Sequence, residues 1–114
     1  MKRGDVYWAE LKPRSGSEQK GRGPVIIMSN DGFNAIPTWR SVIVIPLSTS
    51  ERQSLRGPTA IAIPKGEAGL KEDSIALCHQ LTTLDRSKLG KHMGSLSETF
   101  ITEVEEGLKA AVDL

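Results

Sequence analysis

The chain has 114 residues, and 38% of them are apolar, which suits the core of one compact domain spanning 1–114. A net charge of +1 argues against a strongly basic nucleic-acid-binding protein, and the single cysteine, Cys78, excludes an internal disulfide. No apolar run approaches the roughly 20 residues that cross a bilayer, and the first residues lack a signal-peptide pattern. We therefore expect a cytoplasmic protein with no membrane partner.

Charge is distributed unevenly along the chain. Residues 1–57 carry nine Lys/Arg and five Asp/Glu, a balance of +4, whereas residues 58–114 carry six and nine, a balance of −3. A basic excess in one half indicates an anionic partner on one face. On charge alone, chance asymmetry explains the difference equally well.

Six short apolar or alternating runs predict β-strands, with turn-rich segments between them. The runs are 5–11, 25–28, 42–47, 59–63, 74–80 and 92–94. The second and third are continuously apolar, which is typical of strands buried on both faces. Pro46, near the end of the third run, predicts a sheet edge or a bulge.

Two segments predict helices. Asp85 can cap a short turn through Leu89, and Ser95 with Glu98 matches the capping-box pattern that opens a longer C-terminal helix. From Phe100 onward apolar residues recur at three- and four-residue steps, so one helix face is expected to pack on the core. Strands followed by a closing helix predict a mainly β fold with some helix. Its form is a small antiparallel barrel or strongly bent sheet, with a C-terminal helix and one or two short helices.

The sequence lacks the motifs of a metal or nucleotide site. One cysteine and two histidines, His79 and His92, show no metal-ligand spacing, and neither glycine-rich phosphate-loop motif occurs. We expect no metal and no cofactor. Cys78 lies inside an apolar strand pattern, which favours a buried structural thiol over a nucleophile.

Polar residues instead gather at the ends of the predicted strands. They are Lys20 and Arg22 before the second run, Asn34 after it, Ser48 and Thr49 after the third, and His79 and Gln80 at the end of the fifth. If these ends converge on one rim, their guanidinium, hydroxyl, imidazole and amide groups suit a phosphodiester and unpaired bases. Ordinary turn composition is the alternative explanation.

Five segments stand in a distinctive order and spacing. They are RGDVYWAEL (3–11), GSEQ (16–19), GPVIIMSND (23–31), VIVIPLSTS (42–50) and DSIALCHQLTTLD (73–85). Together with the closing LSETFITEVEEGLKAAV, they resemble the MazF/PemK toxins of bacterial toxin–antitoxin modules over almost the whole chain.

The resemblance implies a small SH3-like barrel that acts as a homodimer. It implies a metal-independent endoribonuclease that cuts single-stranded RNA, chiefly mRNA, at a short sequence, using the ribose 2′-OH as nucleophile. It also implies neutralisation by a cognate, MazE-like antitoxin whose disordered acidic C-terminal tail lies along the RNA groove.

Catalytic roles follow from the resemblance and from side-chain chemistry. The family usually carries an arginine directly before the proline of the second strand. Here Gly23 holds that place, and Arg22, one position earlier, is the candidate that steadies phosphate charge. Ser48 stands at the family's hydroxyl position, and His79 or Glu18 is the candidate acceptor of the 2′-OH proton.

RNA contacts are expected from polar residues around these positions. They are Gln19, Lys20, Asn34, Thr49 and Gln80. Two alternatives stay open from the sequence: a non-catalytic RNA- or peptide-binding module on the same barrel, and a relative that cuts tRNA or rRNA.

Overall fold

A computed structural model of the protein describes residues 1–11, 21–50 and 57–114. Within these ranges the chain forms seven strands and two α-helices. They are β1 (Asp5–Glu10), β2 (Arg22–Ile27), α1 (Asp31–Asn34), β3 (Ser41–Ser48), β4 (Ala60–Ile63), β5 (Ser74–Leu77), β6 (Thr82–Asp85), β7 (Leu89–Ser95) and α2 (Glu98–Val112). Single 3₁₀ turns occupy Glu67–Gly69, Cys78–Gln80 and Arg86–Lys88.

The strands form one antiparallel sheet in the order β4-β5-β3-β2-β1-β7. β6 lies off this path and pairs with the first half of β3. Among the described residues no pairing joins β4 to β7, so the barrel is open. The predicted mainly β fold with a closing helix is confirmed.

β3 is a central strand, so of the two alternatives predicted from Pro46, a sheet edge or a bulge, the edge is wrong. Pro46 pairs with Val25 of β2 on one side. On the other side it falls between the stretch of β3 that pairs with β6 and the stretch that pairs with β5. A residue without an N–H group is tolerated where the hydrogen-bonded ladder changes partner.

Both faces of the central strands are buried. Ile26 and Ile45 pack into a cluster that α2 covers through Val104, and Val25 and Val44 pack into a second cluster. Alternate residues of one strand point to opposite faces, and here each face meets apolar side chains. This explains why the second and third predicted strands read as continuous apolar runs rather than as alternating ones.

The N-cap of helix α2 lies two residues later than the capping-box pattern predicted. Ser95 ends β7, and its hydroxyl donates to Asp5 Oδ1 at 2.6 Å, so the predicted capping box is wrong. The N-cap is Ser97, whose side chain makes no capping bond. The backbone N–H of Ser97 donates instead to Glu67 Oε1 at 2.6 Å. A carboxylate thirty residues earlier thus satisfies a donor that a capping box would satisfy locally.

Other local predictions fare better. Asp85 accepts a hydrogen bond from the Ser87 backbone N–H at 2.8 Å and caps the Arg86–Lys88 turn, as predicted.

Cys78 is buried, its thiol donates to the Val104 carbonyl at 3.6 Å, and burial raises its pKa to about 11. These features confirm a structural thiol. A Cβ at Gly107 would lie 2.8 Å from the Cys78 sulfur, so the glycine allows α2 to approach this closely.

Candidate active-site groove

An open groove of about 910 Å³ runs across one end of the sheet. Its described walls come from the start of β2, the end of β3, β1, β7 and the loop before β5. The side chains that carry chemistry there are Trp8, Arg22, Ser48, Thr49, Lys71 and Lys91. The groove therefore draws on five separate parts of the chain.

Antiparallel pairing brings Arg22 and Ser48 to this groove. β2 pairs with β3 in the register Val25 with Pro46. Continuing that register by two residues places Gly23 opposite Ser48, with Arg22 next to it. The pairing of β2 with β3 therefore brings a guanidinium and a hydroxyl from distant positions in the chain to the same groove.

Ser48 is positioned by its own backbone turn. Only 7% of the residue is exposed, and its Oγ accepts a hydrogen bond from the Ser50 backbone N–H at 3.1 Å. A hydroxyl that accepts one bond in this way keeps its proton for donation to another group. Because Ser48 lines the groove, that proton is available to an acceptor bound there.

The groove is electropositive. Arg22, Lys71 and Lys91 are exposed, and Glu72 is the acidic side chain among the described lining residues. None of the ion pairs within the described residues involves these three cations. The cations are therefore available to an anionic ligand such as a phosphodiester.

Trp8 lines the groove, whereas the sequence pattern predicted only that it lies in a strand. Val6 and Trp8 are two residues apart and therefore share one face of β1, but Val6 is fully buried and Trp8 is 43% exposed. Val6 packs into the cluster that α2 covers, whereas Trp8, two residues farther along β1, lies opposite Pro24 of β2 at the groove. A tryptophan on a strand next to a basic loop was the available signal.

Three sequence-predicted residues lie elsewhere. Asn34 is 3% exposed, and its amide donates to the Ser29 carbonyl at 2.8 Å and to Asp31 Oδ1 at 3.0 Å. These local bonds occupy both hydrogens of the Asn34 amide, so the amide cannot donate to a base. His79 and Gln80 lie on the 3₁₀ turn after β5 and are not among the described groove residues.

The reason for this separation is the direction of β5. β5 runs antiparallel to β3 and its early residue Ile75 lies opposite Ser48, so the Cys78–Gln80 turn that follows the end of β5 at Leu77 lies away from Ser48. The prediction that all the polar strand ends meet at one rim is therefore wrong. Of those ends, the start of β2 and the end of β3 meet at the groove. The candidate residues Glu18, Gln19 and Lys20 lie outside the described residues.

Neither metal-binding groups nor membrane spans emerge from the described ranges. No three His, Cys, Asp or Glu side chains gather there in a way that could hold a metal ion. No helix within them is long and apolar enough to cross a membrane.

Comparison with known proteins places the chain among bacterial toxins. A family model described as "PemK-like, MazF-like toxin of type II toxin-antitoxin system" matches residues 2–112. A protein named Endoribonuclease MazF from Staphylococcus saprophyticus subsp. saprophyticus is 34% identical over 114 residues, which are 100% of this chain and 92% of that protein.

Solved structures show the same fold. MazF from Deinococcus radiodurans superposes with a TM-score of 0.80 at 21% identity and covers 100% of this chain and 97% of its own. A mycobacterial endoribonuclease in complex with its cognate antitoxin superposes with a TM-score of 0.78 at 23% identity, over 98% and 94% of the two chains.

Proposed function

Since the chain belongs to the PemK-like, MazF-like toxin family and is an endoribonuclease toxin of a type II toxin–antitoxin system, we propose that the groove around Arg22 and Ser48 holds the scissile phosphate of single-stranded RNA. The observation that carries this proposal is that a guanidinium and a proton-donating hydroxyl line one electropositive groove.

The proposed reaction uses the substrate's own nucleophile. The 2′-oxygen attacks the neighbouring phosphorus and loses its proton, and the bond from phosphorus to the 5′-oxygen breaks. The leaving 5′-oxygen takes up a proton. The products are a 2′,3′-cyclic phosphate and a 5′-OH end, so the reaction calls for charge stabilisation and proton transfer and does not need a metal-activated water.

Arg22 stabilises the negative charge that grows on the phosphoryl oxygens. Its guanidinium stays protonated and presents paired donors in a fork that fits two phosphate oxygens. Removing one preorganised donor to a developing oxyanion costs about 3–4 kcal/mol in other enzymes, which is about 10²–10³ in rate. Ser48 donates a second hydrogen bond to the same phosphate.

Lys71, Lys91 and Trp8 bind the RNA around the reacting linkage. The two lysines contact flanking phosphates, because they are exposed cations of the groove with no ion-pair partner among the described residues. The half-exposed Trp8 indole offers a face on which an unpaired base stacks. Thr49 lies beside Ser48 and is proposed as a polar contact to the same strand.

Two residues are proposed for proton transfer. Glu18 is proposed as the acceptor of the 2′-OH proton, since it belongs to the segment that leads into Arg22. His79 lies outside the groove of a single copy, so a role for it requires that a second subunit present its turn to the groove.

Partners are proposed by likeness to relatives. A mycobacterial endoribonuclease of this fold forms a complex with its cognate antitoxin, and we infer that a MazE-like acidic tail occupies the electropositive groove of this chain. A cytoplasmic homodimer that cuts mRNA is the form in which we expect the protein to act.

The test uses purified protein, excess chelator and total cellular RNA, which contains mRNA, tRNA and rRNA. We expect cleavage to continue in chelator and to leave 5′-OH ends that a polynucleotide kinase labels directly. Arg22→Ala should lose at least tenfold in rate. Arg40→Ala is the matched control, because Arg40 is a 57% exposed arginine that pairs with Asp85 away from the groove.

The outcomes separate the alternatives. Binding of RNA without cleavage products would replace the enzyme proposal with a non-catalytic binding module. Unchanged cleavage by Arg22→Ala would remove the proposed mechanism, and cut sites confined to tRNA or rRNA would correct the substrate.

A further inference from the structure

A second hollow of about 490 Å³ adjoins the groove. It shares Thr49 and Ser74 with the groove and extends over the surface of β4 and β5. Its other described lining residues are Ala62, Ile63, Pro64, Asp73 and Ile75. The two spaces are therefore neighbouring compartments of one surface that meet at Thr49 and Ser74.

The hollow begins one strand away from Ser48. Ser48 of β3 pairs with Ile75 of β5, and Ile75 pairs in turn with Ala62 of β4. Residues that face each other in an antiparallel pair have Cα atoms about 4.5–5.5 Å apart. A phosphate held at Ser48 would thus carry a neighbouring nucleotide within reach of the hollow.

The two compartments differ in polarity. The described groove residues include three cations, whereas the charged side chain among the described residues of the hollow is Asp73. A carboxylate repels a phosphate, and the aliphatic walls around it favour a flat, weakly polar group. A nucleobase fits these walls, while the ribose-phosphate chain fits the groove.

Asp73 can read a hydrogen-bond donor on that base. Its Oδ1 accepts the backbone N–H of Lys65 at 2.8 Å, which fixes the carboxylate while Oδ2 remains for another donor. An ionised carboxylate accepts hydrogen bonds and cannot donate them. In nucleic-acid recognition, aspartate and glutamate accept from the exocyclic amino group of cytosine.

We propose that this hollow, with Asp73 at its rim, binds the base of one nucleotide flanking the scissile linkage and selects a base with an exocyclic amino group over uracil. The proposal rests on the proposed ribonuclease function and deepens it, because it names a specificity-determining residue for that reaction. A good bidentate contact to a base gives about 5- to 150-fold discrimination, and we expect the lower end of that range from the single bond that Oδ2 can accept.

The experiment sequences the cut junctions that the full-length protein makes in a randomised single-stranded RNA library. For the wild type, uracil should be depleted at least fivefold at one of the two positions next to the cut. Asp73→Asn should reduce that depletion at least fivefold, because an amide can also donate to the uracil carbonyl. Glu72→Gln is the control, since it removes a neighbouring carboxylate that lines the groove and not the hollow.

A substrate-side measurement covers the case in which Asp73→Asn does not fold. At the selected position, wild-type protein should cut cytidine at least fivefold faster than N4,N4-dimethylcytidine, which lacks the amino hydrogens. Equal rates for the two nucleotides would overturn the proposal. Retention of the uracil bias by a folded Asp73→Asn, or loss of the bias in Glu72→Gln alone, would also overturn it. A wild-type protein that cuts no RNA would instead refute the proposed function.

Discussion

Replacing Ser48 with alanine removes the hydroxyl proton that we assign to the scissile phosphate. The Ser48 Oγ already accepts the Ser50 N–H at 3.1 Å, so the hydroxyl proton is the part of the group left for the substrate. A hydrogen bond to a charged group contributes about 1.5–3 kcal/mol. If it forms in the transition state, its loss slows cleavage about 10- to 150-fold.

The same substitution should barely affect folding. Ser50 is exposed, so water replaces the acceptor that its N–H loses, and the free energy of unfolding should fall by about 1 kcal/mol or less. Ser48→Thr keeps the hydroxyl and should retain most of the activity. This pair tests the hydroxyl, and the unfolding measurement separates its chemical role from its contribution to the turn.

The assay is single-turnover cleavage of an end-labelled single-stranded RNA with protein in excess, which isolates the chemical step from product release. Urea unfolding of each variant reports stability alongside. A Ser48→Ala rate within threefold of wild type, in a folded protein, would refute the assignment of Ser48 to the phosphate.

Two further predictions concern the groove wall and the core. Gly69 and Gly66 both have positive φ angles, 74° and 94°, but a Cβ at Gly69 would collide with the Met93 carbonyl while one at Gly66 meets nothing within 4 Å. Gly66→Ala should therefore lower the free energy of unfolding by about 1–2 kcal/mol through backbone strain, and Gly69→Ala by about 3 kcal/mol or more, as measured by urea unfolding. Equal losses in the two variants would contradict the close packing of Gly69 on β7. Burial raises the pKa of Cys78 from 9.0 to about 11, so the unfolded chain loses the thiol proton first and stability should fall as pH rises through this window. Wild type should lose more unfolding free energy than Cys78→Ala between pH about 8 and about 10, and parallel losses would contradict that reasoning.

Much of the fold could be predicted because the signals are local. The continuous apolar runs around Val25 and Val44 reflect burial on both faces, and the three- and four-residue steps after Phe100 reflect one buried helix face. The strand β6 was missed because Thr82–Asp85 is short, half-exposed and polar, and pairing with β3 stabilises it. The cap of α2 was misplaced because Glu67, thirty residues before Ser97, supplies the acceptor.

The candidate site was only partly predictable. Residue type pointed to Arg22 and Ser48, and the order of the family segments pointed to ribonuclease chemistry. Lys71 and Lys91 were not singled out, since nothing in their local pattern separates a groove residue from an ordinary surface residue, and the signal at Trp8 was its position on a strand next to a basic loop.

Residue order and periodicity were enough to establish the family, the strand-rich class and the buried thiol, because each depends on neighbours along the chain. The set of polar strand ends that share one groove was decided by tertiary structure. Strand register places Arg22 beside Ser48, and the antiparallel pairing of β5 with β3 carries the turn that holds His79 away from Ser48. Strand pairing and register are set by contacts between distant segments, and no local pattern encodes them.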